Sequence, residues 1–124
     1  MLNFLFGFGN SGQAADNVHV VDAAEVKQWL AAGEAVLVDV REVNEFAAEH
    51  IPGAVLNPLS VFDPARLPPS DGRKLVIHCR SGSRCGMAAM RLVADGYTGE
   101  IHRMRGGILG WKAVGGTTVS GMPR

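Results

Sequence analysis

The sequence predicts an α/β domain in which a mostly parallel sheet of five strands carries helices on both faces. Short apolar runs rich in β-branched residues alternate along the chain with segments of helical pattern. The run Ala35–Val40 is apolar almost throughout, as is typical of a strand in the middle of a parallel sheet. The length of 124 residues suits one domain, and a hydrophobic content of 47% is enough to fill a core.

Each element follows from its local pattern. Apolar runs predict the strands Val18–Val21, Ala35–Val40, Ala54–Leu56, a run through Leu75–Ile77 that ends at Cys79, and Ile101–Met104. Helical spacing predicts the helices Ala23–Ala32, Val43–Glu49, Arg84–Ala94 and Ile108 to about Val114. Residues 57–73 hold four of the six prolines and predict a rigid, irregular connection with one helical turn around Pro64–Leu67.

Capping residues support the first helix. Asp22 is a good N-cap, and Glu25 at the third helical position predicts a capping box. Gly33 predicts the end of this helix, because glycine readily adopts the left-handed conformation that often follows a helix.

The chain divides into an N-terminal segment, residues 1–17, and a domain, residues 18–120. Residues 1–9 are apolar with three phenylalanines, and residues 10–17 form a polar linker. No Lys or Arg precedes Lys27, which argues against a signal peptide, and nine residues are too few to span a bilayer. We expect the apolar segment to pack on its own domain or on a partner; a peripheral membrane contact is the alternative.

Charge and cysteine content exclude several function classes. A formal net charge of zero provides no global field that would recruit nucleic acid. The arginines near positions 80–84 and 103–105 therefore indicate a local site. Two cysteines six residues apart do not form a secreted disulfide framework, which favours a reducing cytoplasm.

The stretch Cys79–Arg84 carries the chemistry. It follows a predicted strand and precedes a predicted helix, which is where open α/β sheets bind their ligands. Its small residues Ser81, Gly82 and Ser83 allow backbone N–H groups to form an anion nest. The helix dipole, together with Arg80 and Arg84, favours a thiolate at Cys79. We expect this sulfur anion to be exposed and reactive at the mouth of the sheet.

Other interpretations of this stretch are weaker. A buried structural thiol at Cys79 would need neither the arginines nor the turn. A metal site formed by His78, Cys79 and Cys85 is disfavoured, because strand alternation points His78 away from Cys79. We expect His78 to be packed or hydrogen-bonded.

Three ordered motifs resemble the single-domain rhodaneses, sulfurtransferases whose cysteine carries a persulfide. The stretch HCRSGSR resembles their active-site loop. Asp39–Glu42 followed by His50–Ala54 resembles the amino-terminal signature, and Arg105–Trp111 followed by two glycines resembles the carboxy-terminal one. The resemblance spans about residues 18–120 and implies a rhodanese-like three-layer domain.

The resemblance implies sulfur transfer in two half-reactions. Cys79 would take the outer sulfur of thiosulfate or another sulfane-sulfur donor, with Arg80 and Arg84 holding the oxyanion and residues 80–85 stabilising the persulfide. The acceptor would be cyanide, a small thiol or a thioredoxin-like protein. No metal or organic cofactor is needed.

Alternative activities on the same fold stay open at this stage. Related arsenate reductases and phosphatases carry a longer C-x5-R loop, whereas Cys79 to Arg84 is C-x4-R. A thiol-redox enzyme is a further alternative, and so is a non-catalytic binding module. The latter is disfavoured because the nucleophile is present.

Three further side chains have competing interpretations. Asp39 and Arg41 are interpreted as a structural ion pair that supports the loops, in preference to catalytic groups. His50 is interpreted as a residue at a helix end.

Cys85 departs from the family pattern, where a hydroxyl residue often closes the loop. It is either an inert small side chain or a resolving thiol that attacks a Cys79 persulfide, releases sulfide and leaves a Cys79–Cys85 disulfide.

Overall fold

The computed structural model of the protein, which describes residues 15–122, contains a five-stranded sheet. Along the chain the strands are β1 (Val18–Val21), β2 (Ala35–Asp39), β3 (Val55–Leu56), β4 (Lys74–His78) and β5 (Ile101–Met104). They lie in the order β1-β5-β4-β2-β3, and each neighbouring pair is parallel. The predicted α/β class is confirmed, and the sheet is parallel throughout where mostly parallel was expected.

Helices and short turns make the connections between these strands. The helices are α1 (Ala23–Ala31), α2 (Val43–Ala48), α3 (Ser83–Ala94) and α4 (Gly107–Ala113). The proline-rich connection contains two short 3-10 turns, Leu59–Val61 and Pro64–Arg66. Within residues 15–122, no helix combines the length and the apolar character that a membrane crossing requires.

Two apolar cores lie against the sheet, one on each face. Residues of α1, α2 and α4 fill the first core, which includes Val26, Phe46 and Trp111. Residues of α3 fill the second, which includes Ala88 and Leu92. Successive strand residues alternate between the two cores, because side chains along a strand point to opposite faces. The predicted helices on both faces are therefore confirmed.

The capping box predicted for the first helix is wrong. The Asp22 side chain makes no cap hydrogen bond and instead accepts one from Nε of Arg105 at 2.8 Å. A capping box is present at α2, where Glu42 and Glu45 bond reciprocally to each other's backbone N–H groups. The prediction for Gly33 is confirmed, since its φ of +72° is left-handed.

The C-terminal tail is tied to the domain at His50. The backbone N–H groups of His50 and Val119 each donate to the other residue's carbonyl at 2.8 Å. Nδ1 of His50 lies 2.9 Å from the carbonyl oxygen of Phe46, near the end of α2, and its ring stacks on the Phe46 ring. The helix-end interpretation of His50 is confirmed. The predicted apolar segment, residues 1–9, and most of the linker lie outside the described residues.

Candidate active site

The Cys79 loop lies at the carboxyl end of β4, between β5 and β2 in the sheet. Cys79 directly follows the strand, and α3 begins at Ser83, one residue earlier than predicted. Ligands of parallel α/β sheets bind at this end of the strands. The loop therefore occupies the position that the sequence predicts.

Backbone N–H groups converge on the Cys79 sulfur. Gly82 N–H donates to Sγ at 3.1 Å, and the backbone N–H groups of Ser81 and Cys85 also lower the pKa of this sulfur. Gly82 has a φ of +125°, a backbone conformation that residues other than glycine rarely adopt. The loop thus forms the predicted anion nest, with a sulfur atom as the anion.

The nest shifts the pKa of Cys79 to about 5. The largest cause is the hydrogen bond from the Cys85 thiol; burial opposes the shift, and the three backbone N–H groups reinforce it. A thiol with this pKa is about 99% ionised at pH 7. The predicted direction is confirmed, but the main cause is Cys85, whereas the sequence pointed to the arginines and the helix dipole.

The expectation of an exposed sulfur is wrong. Cys79 is only 1% exposed and packs with the apolar core beneath α3. A cavity of about 330 Å³ lies beside the loop; it is lined by Ser81, Gly82, Ser83 and Cys85, together with side chains of β5 and the turn after it. The thiolate lies at the floor of the loop, where amides rather than water stabilise it.

Cys85 faces the same nest from the first turn of α3. Its thiol donates to the Gly82 carbonyl oxygen at 2.9 Å. The negative charge of the nearby Cys79 sulfur favours the protonated form of Cys85. This interaction and burial raise the pKa of Cys85 well above its usual range. In the resting protein, Cys79 is the thiolate and Cys85 keeps its proton.

Arg84 differs from its predicted role as an oxyanion ligand. Its guanidinium donates to both carboxylate oxygens of Glu45, at 2.7 and 2.9 Å. This pairing lowers the pKa of Glu45 to about 2. The charge of Arg84 is therefore largely neutralised, and its bond to α2 anchors the loop. Arg80 is exposed at the rim of the loop, as its predicted role requires.

Arg103 is a site residue that the sequence signalled only as part of an arginine cluster. Nη2 of Arg103 donates to the Gly82 carbonyl at 3.2 Å, and its guanidinium lies against the Cys85 thiol. Gly86 makes room for this guanidinium, because a Cβ there would lie 2.8 Å from Nη2. A second cation therefore reaches the nest from β5.

The turn after β5 fixes the loop from the other side. The N–H groups of Ile108 and Leu109 donate to the carbonyls of Cys79 and Arg80, at 2.9 and 3.3 Å. Gly107 permits this approach: its φ is +56°, and a Cβ there would lie 2.3 Å from the Cys79 carbonyl oxygen. Gly107, the first residue of α4, therefore lets the start of this helix hold the active-site loop.

Asp39 and Arg41 form a buried ion pair behind the site. Nη2 of Arg41 lies 2.7 Å from Oδ2 of Asp39 and also donates to the Glu49 carbonyl at 2.7 Å. His78 is fully buried on the far side of its strand, with Nε2 3.5 Å from Asp39, and burial lowers its pKa. The predicted structural roles of the pair and of His78 agree with these contacts.

A metal centre is not indicated. In the part of the chain from 15 to 122, no three His, Cys, Asp or Glu side chains lie together in a way that could hold a metal ion.

Comparison with known proteins identifies the family. The model of the rhodanese-like domain matches residues 22–114, most of the chain. The chain belongs to the rhodanese-like domain family. This rhodanese-like chain is 40% identical over 101 residues to a protein named sulfurtransferase from Allochromatium vinosum, covering 79% of this chain and 92% of the other.

Two larger proteins contain a similar domain. An uncharacterised protein of Synechocystis sp. is 41% identical over 107 residues, which cover 86% of this chain and 59% of that protein. The crystal structure of thiosulfate sulfurtransferase from Pseudomonas aeruginosa superposes with a TM-score of 0.72 at 27% identity, covering 86% of this chain and 21% of the other. The rhodanese-like chain therefore spans only part of both proteins.

Proposed function

We propose that this protein is a sulfurtransferase that carries sulfane sulfur as a persulfide on Cys79. The observation that carries this proposal is Cys79 at the carboxyl end of a parallel sheet, where the Gly82 N–H donates to its sulfur and the surrounding loop lowers its pKa to about 5. Membership of the rhodanese-like family supports it, as do the sulfurtransferase names of the relatives from A. vinosum and P. aeruginosa.

The first half-reaction loads the enzyme. The Cys79 thiolate attacks the outer sulfur of thiosulfate or a similar donor, the bond between the two donor sulfurs breaks, and sulfite leaves with the electron pair. The negative charge then lies on the outer persulfide sulfur. The N–H groups that stabilised the thiolate also stabilise this charge. Since Cys79 is buried at rest, the donor has to displace side chains at the rim of the loop.

The second half-reaction discharges the sulfur. Cyanide, a small thiol or a thioredoxin-like protein attacks the outer sulfur, and Cys79 leaves as a thiolate. A leaving thiolate with a low pKa departs readily, so the nest that activates Cys79 for attack also favours its release. Both cysteines are free thiols in the structure, as this chemistry requires.

The arginines have distinct roles in this scheme. Arg80, exposed at the rim, is positioned to meet the oxyanion of the donor. Arg84 holds the loop against Glu45 and leaves little free charge for the donor. Arg103 supplies positive potential from the β5 side of the nest. Removal of the Arg80 side chain should therefore weaken binding of the anionic donor more than removal of the Arg84 charge does.

A direct test uses thiosulfate as donor and cyanide as acceptor, with thiocyanate formation as the readout. We expect turnover by the wild type and none by Cys79→Ser. Intact-mass analysis immediately after a brief exposure to thiosulfate should show one added sulfur atom in the wild type and none in the variant. The same preparations are assayed with an aryl phosphate and with arsenate. Turnover of those substrates without thiocyanate formation would contradict sulfur transfer and favour the phosphatase or reductase class.

A further inference from the structure

Cys79 and Cys85 border the same residue of the loop. The Gly82 N–H contacts the Cys79 sulfur at 3.1 Å, and the Gly82 carbonyl accepts from the Cys85 thiol at 2.9 Å. Gly82 therefore bridges the two sulfurs, and the Cys85 thiol is also the largest cause of the low pKa of Cys79. Both side chains are 1% exposed. The second thiol is therefore a built part of the nest, although sulfur transfer to an external acceptor does not require it.

Arg103 shares the Gly82 carbonyl with the Cys85 thiol, since its Nη2 donates to that oxygen at 3.2 Å. Its positive charge favours ionisation of Cys85. Within residues 15–122, Nε of Arg103 is buried without a hydrogen-bond partner. An unpaired guanidinium N–H beside a thiol is suited to a small anion formed at that position. The adjoining cavity, which Cys85 and Arg103 both line, gives such an anion a route to solvent.

We infer that Cys85 is a resolving thiol which converts the Cys79 persulfide into an intramolecular disulfide and releases sulfide. This inference rests on the proposed function, because that function supplies the persulfide. It adds a second outcome for the bound sulfur, namely reduction to sulfide, where an external acceptor would carry the sulfane sulfur away intact.

The step balances without an external oxidant. Cys85 sulfur bonds to Sγ of Cys79, the bond from Sγ to the outer sulfur breaks, and the outer sulfur leaves with that electron pair. The Cys85 proton moves to the leaving sulfur, giving HS⁻ and a Cys79–Cys85 disulfide. The sulfane sulfur is reduced, and the two cysteine sulfurs are oxidised. A dithiol reductant, such as a small dithiol or a dithiol protein, then restores both thiols.

The contacts also assign the order of events. While Cys79 is a thiolate, its charge and burial raise the pKa of Cys85, whose thiol donates to the Gly82 carbonyl, so Cys85 is not a nucleophile and does not compete for the donor. After loading, the negative charge lies one atom further out, and the outer sulfur becomes the acceptor for the Cys85 proton. Cys85 is thereby activated only when Cys79 carries sulfur.

The experiment loads the protein with thiosulfate, removes the excess and follows released sulfide and intact mass with no acceptor present. We expect the wild type to release about one equivalent of sulfide and become lighter than the reduced chain by two hydrogen atoms. We expect Cys85→Ser to keep the added sulfur and to release at least about tenfold less sulfide. A non-reducing digest should show the Cys79–Cys85 disulfide in the wild type, at a rate independent of protein concentration.

The outcomes separate the two proposals. A wild type that keeps its added sulfur, releases no sulfide and yields thiocyanate with cyanide would overturn the resolving role and leave sulfur transfer intact. A wild type that releases neither sulfite nor sulfide after exposure to thiosulfate, and takes up no sulfur, would overturn the proposed function and the resolving role with it. Sulfide release that Cys85→Ser shares with the wild type would also overturn the resolving role.

Discussion

Replacing Cys85 by alanine should raise the pKa of Cys79, because it removes the largest cause of the shift. The Cys85 thiol contributes most to the low pKa of Cys79 that remains after the opposing effect of burial, and three backbone N–H groups contribute beside it. Cys85→Ser is the matched control, since its hydroxyl retains a donor at the same place in the first turn of α3.

The size of the effect follows from these contacts. A pKa of about 5 for Cys79 against about 8.5 for a free thiol corresponds to about 5 kcal/mol in favour of the thiolate. One hydrogen bond to a charged group contributes about 1.5–3 kcal/mol, or about one to two pH units. Cys85→Ala should therefore have a Cys79 pKa of about 6–7, and Cys85→Ser one that stays near about 5.

The assay is the pH dependence of alkylation by iodoacetamide, followed by intact mass. In both variants Cys79 is the single cysteine, so one modification is followed. Each rate profile is normalised to its own plateau, because intrinsic nucleophilicity falls as the pKa of a thiol falls. At pH 5 the normalised rate of Cys85→Ala should be about tenfold below that of Cys85→Ser.

Two results would refute the reasoning. If both variants titrate together near pH 5, the backbone N–H groups alone set the pKa. If the wild type titrates near pH 8.5, the nest does not stabilise a thiolate in solution, and the proposed nucleophile loses its basis.

Three further predictions concern the scaffold. Glu45 has a pKa of about 2 in the folded protein. Its pairing with Arg84 therefore stabilises the fold above about pH 4.5, and this stabilisation is lost as the pH falls toward 2. In urea titrations, Glu45→Gln should reduce the change in the free energy of unfolding over this pH range by about 1–2 kcal/mol after allowance for solvent screening. An unchanged slope would show that this ion pair contributes nothing. Gly107→Ala places a Cβ 2.3 Å from a loop carbonyl. It should lower the free energy of unfolding in urea by at least about 2–3 kcal/mol and should also abolish thiocyanate formation. Gly33→Ala, whose Cβ would have nothing within 4 Å, should lower the free energy of unfolding by only about 1 kcal/mol. Equal losses would contradict the role of the close approach. Asp39→Asn leaves the Arg41 guanidinium buried without its counter-ion and should lower the free energy of unfolding by about 3–5 kcal/mol in urea titrations; a loss below about 1 kcal/mol would argue that the pair is dispensable.

The sequence predicted the fold well because the fold depends on local pattern. Buried parallel strands such as β2 read as continuous apolar runs, and helix ends such as Gly33 are marked by residue type. The family motifs then located the loop that contains Cys79. These signals lie within a few residues of the feature that they predict.

The predictions that were wrong, or that missed a site residue, depend on contacts between segments that are distant in the sequence. Glu45 lies 39 residues from Arg84 in the chain, so no local sequence pattern shows that the Glu45 carboxylate neutralises the charge of Arg84. Asp22 bonds to Arg105 in place of its own helix. Burial of Cys79 likewise follows from packing under α3. Arg103 was signalled by composition, but its contact with Cys85 needed the fold.

The N–H groups of Ile108 and Leu109 donate to the carbonyls of Cys79 and Arg80, so part of the loop's shape depends on residues about 29 positions further along the chain. A transplanted copy of CRSGSRC on a foreign strand and helix would keep the residues and lose this support. Its carbonyls could turn toward the sulfur and oppose its charge. A designer who wants this chemistry elsewhere must therefore graft both segments, with the double glycine that lets them meet.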